Sequence, residues 1–498
     1  MRIQNRILCS AIALTIAGAT AGSVRAQDRT VPHTTSSAEA NHWYEVSMKE
    51  REDLLLVDKG IDSMREAVKA DPHFALAHAA LAYFTNDPLE EKRERALAQK
   101  NVANASPDER LLITWMNGTK DGDLVPAIAA MNDLIAKYPG DERLQNLDGE
   151  WLCSNQGAFD RGESVLKELL KSDPKYFPAL NNLAYCYALS GQAKLAPALM
   201  EEYVLALPNQ PNPQDSYGEI MRMLGDYQAA LDHYNKALQI DPDFNSSKVG
   251  VASTYALMGE QEKARAQYLV AIDGTKERAT KLDYRILWAM TYYRENQPER
   301  ARQELQKIVV EADRDGMAIE HAEAHRDMAL FSPDAQTALK DIDHARVALL
   351  ARDFAKGDRD NELATILFAR AFIAARAGLK DEVQKSLEPL SVMARTSRSY
   401  IVQRAYHSAK GASLLMQQKY DAAIQELDDD AQNPLSLELL ADAQSKLGQA
   451  AEAQKTLTTL AAINDERVET AFAVPQARAA LKASPATTAQ ATPFHIHP

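Results

Sequence analysis

The chain has 498 residues, with 56 Lys and Arg against 70 Asp and Glu, and a net charge of -14. This acidic balance excludes a general nucleic-acid binder, because such a protein needs a basic face to displace counterions from phosphates. Hydrophobic residues at 46% and charged residues at 25% are typical of a folded globular protein. With only three Cys, the chain is neither a disulfide-dense scaffold nor a multi-cysteine metal protein.

The first 26 residues have the three-part layout of a secretory signal peptide. Arg2 and Arg6 give a positive start, residues 7–17 are apolar, and small residues surround a cleavage site after Ala26. A membrane anchor is the alternative, but the apolar run is shorter than the ~20 residues that a spanning helix needs. We therefore expect a periplasmic or secreted product with no membrane span after signal removal.

Two polar segments flank the rest of the chain. Residues 27–40 are rich in Thr and Ser and are typical of a linker. Residues 484–498 are of low complexity and predict a disordered tail. His495 and His497 in this tail could hold a metal loosely, but a solvated tail is the favoured interpretation.

Between these ends the chain is rich in helix-forming residues and lacks the alternating β-branched runs of strands. Its main feature is a period of 34 or 35 residues in the spacing of Gly and Pro. The glycines are Gly122, Gly157, Gly191, Gly225 and Gly259, and the prolines are Pro139, Pro174, Pro208 and Pro242. A period of this length predicts a solenoid of stacked repeats.

The unit around Gly225 shows how the residues of one repeat end its helices and pack them together. Gly225 accepts the left-handed conformation that ends a first helix, and Pro242 cannot extend a second helix. Small residues at Gly218 and Ala230 let the two helices approach closely, and Tyr234 fills the space beside them. Each unit therefore predicts a pair of antiparallel helices.

This pattern resembles the tetratricopeptide repeat family, whose 34-residue motif has small residues at positions 8, 20 and 27, an aromatic residue at 24 and Pro at 32. Counted from Pro211, those positions hold Gly218, Ala230, Ala237, Tyr234 and Pro242. The unit that ends at Pro174 departs from the motif, with Gly162 where Ala is usual. Several segments are also similar to secreted bacterial tetratricopeptide proteins of unassigned function.

The resemblance implies an all-α protein, a right-handed α-solenoid of antiparallel helix pairs, with about ten pairs between residues 41 and 462. We predict degenerate N-terminal repeats at 41–107, core repeats at 108–281, degenerate C-terminal repeats at 282–462, and a terminal helix at 463–483. Atypical units at the ends are expected in a solenoid, because they cap its core.

The family lines a concave groove with its first helices, and the resemblance implies which residues of this chain face it. The predicted partner-binding groove consists of Leu112, Met116, Leu147, Trp151, Asn181, Tyr185, Asp215, Glu219 and Arg222. Its N-terminal half is apolar and aromatic, as in a peptide anchor, and its middle is charged. Alternatively, the N-terminal repeats fold back and bury these side chains.

His321 and His325 are four residues apart, so both imidazoles could reach one metal ion from a helix. The zinc-protease pattern needs Glu directly after the first His, and Ala322 occupies that position. A solvated polar helix face is therefore favoured over a metal site, and we predict no metal and no cofactor.

Cys153 and Cys186 fall on neighbouring first helices of the predicted repeats. A disulfide is one possibility in an oxidising compartment. Two buried free thiols are favoured, because packed helices often hold their Cα atoms further apart than the ~7 Å limit for a disulfide.

These observations favour an exported tetratricopeptide solenoid that acts as a protein–protein interaction scaffold or adaptor and is not an enzyme. Its partner would be a protein or peptide, and not a nucleic acid. The alternative is a structural component of a cell-envelope assembly or polymer-export complex. A metal-binding protein or enzyme that uses His321 and His325 is a weaker hypothesis.

Overall fold

The computed structural model describes residues 30–483, and all regular secondary structure in that part of the chain is helical. This confirms the prediction of an all-α solenoid. The predicted signal peptide and the predicted disordered tail lie outside the described residues. None of the helices between residues 30 and 483 has the length and hydropathy that crossing a bilayer requires.

The described chain forms 25 α-helices. They are α1 (Ala38–Met48), α2 (Val57–Ala70), α3 (Ala75–Phe84), α4 (Pro88–Asn101), α5 (Pro107–Asp121), α6 (Leu124–Lys137), α7 (Glu142–Ser154), α8 (Phe159–Ser172), α9 (Pro178–Leu189), α10 (Ala196–Ala206), α11 (Pro211–Met223), α12 (Tyr227–Ile240), α13 (Asn245–Met258), α14 (Gln261–Gly274), α15 (Arg278–Arg294), α16 (Pro298–Asp315), α17 (Ala318–Leu330), α18 (Ala335–Leu350), α19 (Lys356–Arg376), α20 (Lys380–Thr396), α21 (Tyr400–Met416), α22 (Tyr420–Asp428), α23 (Pro434–Lys446), α24 (Ala450–Ala461) and α25 (Val468–Ala483). A π-helical turn at Lys49–Asp53 and two 3₁₀ turns, at Val102–Asn104 and Ala193–Leu195, join some of them.

Consecutive helices pack as pairs, from α1 with α2 to α23 with α24, and α25 follows the last pair. Residues 30–483 thus hold twelve pairs rather than the predicted ten or so. One pair that the repeat pattern does not mark is α17 with α18, which turns through Ser332 and Pro333 instead of a glycine.

The turn after several first helices depends on glycine. Gly225 and Gly259 have φ of 82° and 86°, a left-handed conformation that other residues adopt only with strain. The spacing of these glycines therefore records the places where one helix ends and its partner begins.

Two glycines, which have no side chain, allow helices α11, α12 and α13 to pack closely. The ring of Tyr234 on α12 lies between Gly218 on α11 and Gly250 on α13. A Cβ atom on Gly218 would lie 2.9 Å from the Tyr234 ring, and one on Gly250 would lie 2.3 Å from it. Tyr234 is buried and joins one repeat to the next.

The segment before α1 is anchored, although it was predicted to be part of a linker. The Val31 N–H donates to Asp141 Oδ2 at 3.2 Å, and the Thr34 N–H donates to Glu109 Oε1 at 2.8 Å. Residues near 30 therefore cap the start of the core repeats.

The stacked helix pairs wind into a superhelix, and its second turn lies against its first. Residues far apart in the sequence are therefore in contact. Arg65 Nη1 lies 3.0 Å from Glu277 Oε1, and Lys120 Nζ lies 2.7 Å from Asp358 Oδ2. Helix α5 packs against α19 at this junction. A Cβ atom on Gly122 would lie 3.4 Å from the Gly357 Cα atom, so the two backbones approach closely there.

Candidate functional site

The predicted groove residues lie on successive first helices: α5, α7, α9 and α11. Met116 and Trp151 are 1% and 4% exposed, and Leu112 is also buried. Trp151 packs edge-on against Trp115 of α5, which is itself fully buried, with ring centroids 6.2 Å apart. The apolar part of the predicted groove is thus largely packed into the core of the N-terminal repeats.

A cavity of about 480 Å³ remains beside Trp151, and we call it the interturn cavity. Two of the nine predicted groove residues, Leu147 and Trp151, line it together with Tyr83 of α3. Its other wall comes from the second superhelical turn, over residues 356–361 and 396–401. No sequence signal pointed to this second wall, because it comes from residues more than 200 positions further along the chain.

Charges of both signs surround the interturn cavity. Lys120 pairs with Asp358 across the two turns and also approaches Glu91 at 3.4 Å. Although burial alone lowers the pKa of Lys120, these two carboxylates raise it above its ordinary value. Burial raises the pKa of Glu150, and Arg51 partly opposes that rise. The cavity therefore combines aromatic surface with fixed polar groups.

The middle of the predicted groove is a closed polar network. The Tyr185 hydroxyl donates to Glu219 Oε2 at 2.7 Å, and Arg222 donates to Glu219 Oε1 at 3.0 Å. Arg222 also pairs with Glu466, in the segment before α25. Tyr227 donates to Asn464 Oδ1 at 2.8 Å in the same segment. The chain's own C-terminal segment thus occupies this part of the groove.

Two further groove residues are buried polar groups. Asp215 accepts a hydrogen bond from the Ser247 hydroxyl at 2.6 Å, and burial raises the pKa of Asp215 to about 7. Asn181 is 4% exposed, and its Oδ1 accepts no hydrogen bond from the part of the chain that the structure describes. Both side chains are buried within the fold.

Helix α25 covers the first helices of the C-terminal repeats, where it packs against α15, α17 and α23. The Phe472 ring meets Phe331 and Phe372 edge-on, with centroids 5.6 and 5.9 Å apart. The Arg376 guanidinium lies 4.9 Å from the Phe472 ring centroid. The C-terminal end therefore covers the middle and C-terminal parts of the concave face, whereas Met116 and Trp151 are buried within the core of the N-terminal repeats.

Cys153 and Cys186 form a disulfide, with Cα atoms 5.3 Å apart. The favoured prediction of two free thiols is wrong, because α7 and α9 bring the two Cα atoms within the ~7 Å limit for a disulfide. Gly162 on α8 makes room for the bond, since a Cβ atom there would lie 2.3 Å from Cys153 Sγ. This explains the glycine at a position where the motif has Ala.

His321 and His325 are half-buried on α17 and line a second cavity. His344 of α18, which the sequence analysis did not single out, lines the same cavity. Its position follows only from the pairing of α17 with α18, and the repeat motif does not mark that pair.

The stacked helix pairs and their glycine turns define an α-solenoid of helix–turn–helix repeats. The tetratricopeptide repeat profile matches residues 214–244, which cover most of α11 and all of α12. This match to the tetratricopeptide repeat falls on the unit in which the spacing of Gly, Ala and Pro predicted it. Solenoids of this kind present concave surfaces that serve as scaffolds for protein–protein interaction.

Many solved structures are similar to the chain. A tetratricopeptide repeat protein from Parabacteroides merdae is 17% identical over 48% of this chain and 93% of its own, with a TM-score of 0.38. The Cut9–Hcn1 assembly of the APC/C is 15% identical over 84% and 75%, with a TM-score of 0.40. YrrB, a protein with an unusual peptide-binding site, is 16% identical over 42% and 96%, with a TM-score of 0.27. No curated protein sequence matches the chain significantly.

Proposed function

We propose that the protein is a non-enzymatic, exported scaffold that binds a segment of a partner protein in the interturn cavity. The observation that carries this proposal is the cavity itself, about 480 Å³ in volume, on the concave side of α3, α5 and α7. Leu147, Trp151 and Tyr83 offer apolar and aromatic surface there, which suits an anchoring side chain of a peptide. The middle of the groove and its C-terminal part are covered by the chain's own residues, which leaves the cavity as the accessible region.

Two observations support export. The first 26 residues have the layout of a secretory signal, and Cys153 and Cys186 form a disulfide. Disulfides persist in oxidising compartments such as the bacterial periplasm and are rare in a reducing cytosol. The proposed location is therefore periplasmic or extracellular.

Site-specific photo-crosslinking tests where the partner binds. A photoreactive amino acid replaces Gln156 or Ile401, which line the cavity from opposite walls, or Leu205, which is 74% exposed on the second helix α10. We expect one partner to crosslink from both cavity positions and not from Leu205. Crosslinking from Leu205 alone would overturn the cavity as the site and support an assembly component that binds through its outer face.

A cavity-filling variant tests the same site without a probe. Ser154 is exposed and lines the cavity, so Ser154→Trp should occupy it without disturbing the core. Ala136→Trp, at an exposed position on α6, is the matched control. We expect Ser154→Trp to abolish the crosslink from Ile401 and Ala136→Trp to preserve it. Equal crosslinking in both variants would contradict binding in the cavity.

A further inference from the structure

Helices α17 and α18 carry four potential metal ligands on the faces that meet. His321 and His325 are one turn apart on α17, and Asp341 and His344 are three residues apart on α18. Residues at these spacings share one face of a helix. Because the two helices pack against each other, His325, Asp341 and His344 come together across the pair, and the His321 ring lies beside that of His325.

The convergence is close enough for one ion. Ligand atoms of His325, Asp341 and His344 all lie within 4.8 Å of one another. The ring of His325 has its centroid 5.2 Å from that of His344 and 5.2 Å from that of His321. Donors bound to one Zn²⁺ at about 2.0–2.1 Å lie roughly 3.4 Å apart, so small side-chain rotations complete the geometry.

A residue of the neighbouring helix α16 holds the Asp341 carboxylate in place. Arg302 of α16 donates to Asp341 Oδ2 at 2.7 Å, while Asp341 Oδ1 lies 3.4 Å from His325 Nδ1. Asp341 is 4% exposed, so its orientation is set by these contacts and not by water. Outer contacts that orient a ligand in this way are a regular feature of metal sites in proteins.

The three histidines also line a cavity that is open to solvent. It has a volume of about 480 Å³, and its walls include Met317, Ala348 and Arg352. His344 is exposed at its rim, whereas His321 and His325 are half-buried. An ion can therefore enter from solvent and reach donors that the fold already holds together.

We propose that His325, Asp341 and His344, with His321 as the fourth donor, bind one divalent late transition-metal ion such as Zn²⁺. Three imidazoles and one carboxylate suit Zn²⁺, Ni²⁺ or Cu²⁺, whereas Ca²⁺ and Mg²⁺ prefer sets made of oxygen alone. Four protein donors fill a tetrahedral shell, which is the pattern of a structural site and not of a catalytic one. The ion would join α17 to α18, a pair that turns through Ser332 and Pro333 instead of a glycine.

Calorimetric titration of the tag-free protein with ZnCl₂ tests this proposal. The parent protein carries His495→Ala and His497→Ala, so that the tail contributes no imidazole. We expect one Zn²⁺ per chain, and a loss of affinity of at least about tenfold in His344→Ala and in His325→Ala. His42→Ala removes an exposed histidine on α1 and should leave the affinity unchanged. Titration with CaCl₂ should show no binding.

Thermal melting provides a second measurement. Zn²⁺ binding to the folded state raises the melting temperature of the parent by mass action. His344 is exposed, so His344→Ala should retain the circular-dichroism spectrum and melting temperature of the metal-free parent but lose the shift with Zn²⁺. Equal Zn²⁺ affinity in the parent and in His344→Ala would overturn the proposal. Absence of binding at about 100 µM Zn²⁺, or tighter binding of Ca²⁺ than of Zn²⁺, would also overturn it.

Discussion

At the scale of single residues, two glycines set how closely consecutive repeats approach. The Tyr234 ring fills the space that Gly218 and Gly250 leave open, and a Cβ atom on Gly250 would lie 2.3 Å from it. Tyr234 is 2% exposed, so the ring cannot move aside into solvent. The repeat therefore has no room for a larger residue at position 250.

We predict that Gly250→Val lowers the free energy of unfolding by about 1–3 kcal/mol, the usual cost of overpacking a filled core. Urea denaturation measures the effect. Ser246→Val, at an exposed position on the same helix, is the control and should be close to neutral. Equal midpoints for the two variants would contradict the packing of Tyr234 between the two glycines.

Asp215 has a pH-dependent effect on stability whose sign follows from its burial. Burial raises its pKa from 3.8 in the unfolded chain to about 7 in the folded protein. The folded state thus binds an extra proton between these values, and the contribution of Asp215 to stability falls as the pH rises from about 4 to 7. Below pH 4 the residue is protonated in both states and contributes no difference.

We predict that Asp215→Asn raises the melting temperature at pH 8 and changes it little at pH 4. A shift of about three pKa units corresponds to roughly 4 kcal/mol as an upper limit. Asp243→Asn removes a carboxyl whose side chain is 99% exposed and is the matched control. If Asp215→Asn raises the melting temperature equally at pH 4 and pH 8, the pKa of Asp215 is not raised in the folded protein.

At the scale of elements, the disulfide joins first helices of two consecutive repeats, α7 and α9. Cys153 and Cys186 are 33 residues apart, so the bond closes almost one repeat. Closing a loop of this length removes conformational entropy from the unfolded chain equivalent to about 4 kcal/mol. A reducing agent should therefore lower the melting temperature of the oxidised protein.

The control for this prediction is the double variant Cys153→Ser, Cys186→Ser. It should melt below the oxidised parent, and its melting temperature should not respond to reductant. A parent protein that is equally insensitive to reductant would contradict the disulfide in solution.

Helix α25 covers apolar surface of the C-terminal repeats, so its removal should destabilise them. Its Phe472 covers Phe331 and Phe372, and Glu466 in the preceding segment pairs with Arg222 of the middle groove. Removal of residues 464–498 would expose this apolar surface and leave the Arg222 guanidinium without Glu466.

We predict that deletion of residues 464–498 lowers the melting temperature and increases binding of a hydrophobic dye such as ANS. Deletion of residues 484–498 alone is the control, and it should have neither effect because α25 remains. If both deletions behave alike, α25 does not hold the C-terminal repeats in solution.

At the scale of the whole molecule, the repeated units could be predicted from the sequence, because each is defined by local spacing. Gly225, Ala230 and Tyr234 lie within ten residues of one another and mark one pair of helices. The pair α17–α18 and its residue His344 escaped the same reasoning, since the repeat pattern does not mark that pair.

The interturn cavity could not be predicted, because it depends on rotation that accumulates from pair to pair around the superhelix. Lys120 and Asp358 are in contact although they are 238 residues apart in the sequence, and no local pattern links them. The sequence left open whether Trp151 lines an exposed groove or is covered by the N-terminal repeats, and in the structure it lines a cavity whose other wall is the second superhelical turn. Small changes in the angle between consecutive helix pairs decide whether two turns of the superhelix come into contact.

Ion pairs between the two turns suggest how the superhelix is held closed. Arg65 contacts Glu277, and Lys120 contacts Asp358, each across the junction. We predict that the double variant Arg65→Glu, Lys120→Glu opens the superhelix, because it replaces two attractions with repulsions. Each repeat buries its own core against its neighbours, so the helix content should not change.

Small-angle X-ray scattering checks this prediction through the radius of gyration, which should increase in the variant while the circular-dichroism spectrum stays the same. Lys69→Glu, Lys171→Glu is the control, since both lysines are exposed and, among residues 30–483, form ion pairs only within their own helix. In the parent, high salt should produce a smaller increase in the same direction, because exposed ion pairs are screened. An unchanged radius of gyration in the double variant would mean that apolar and backbone contacts, such as the approach of Gly122 to Gly357, suffice to hold the turns together.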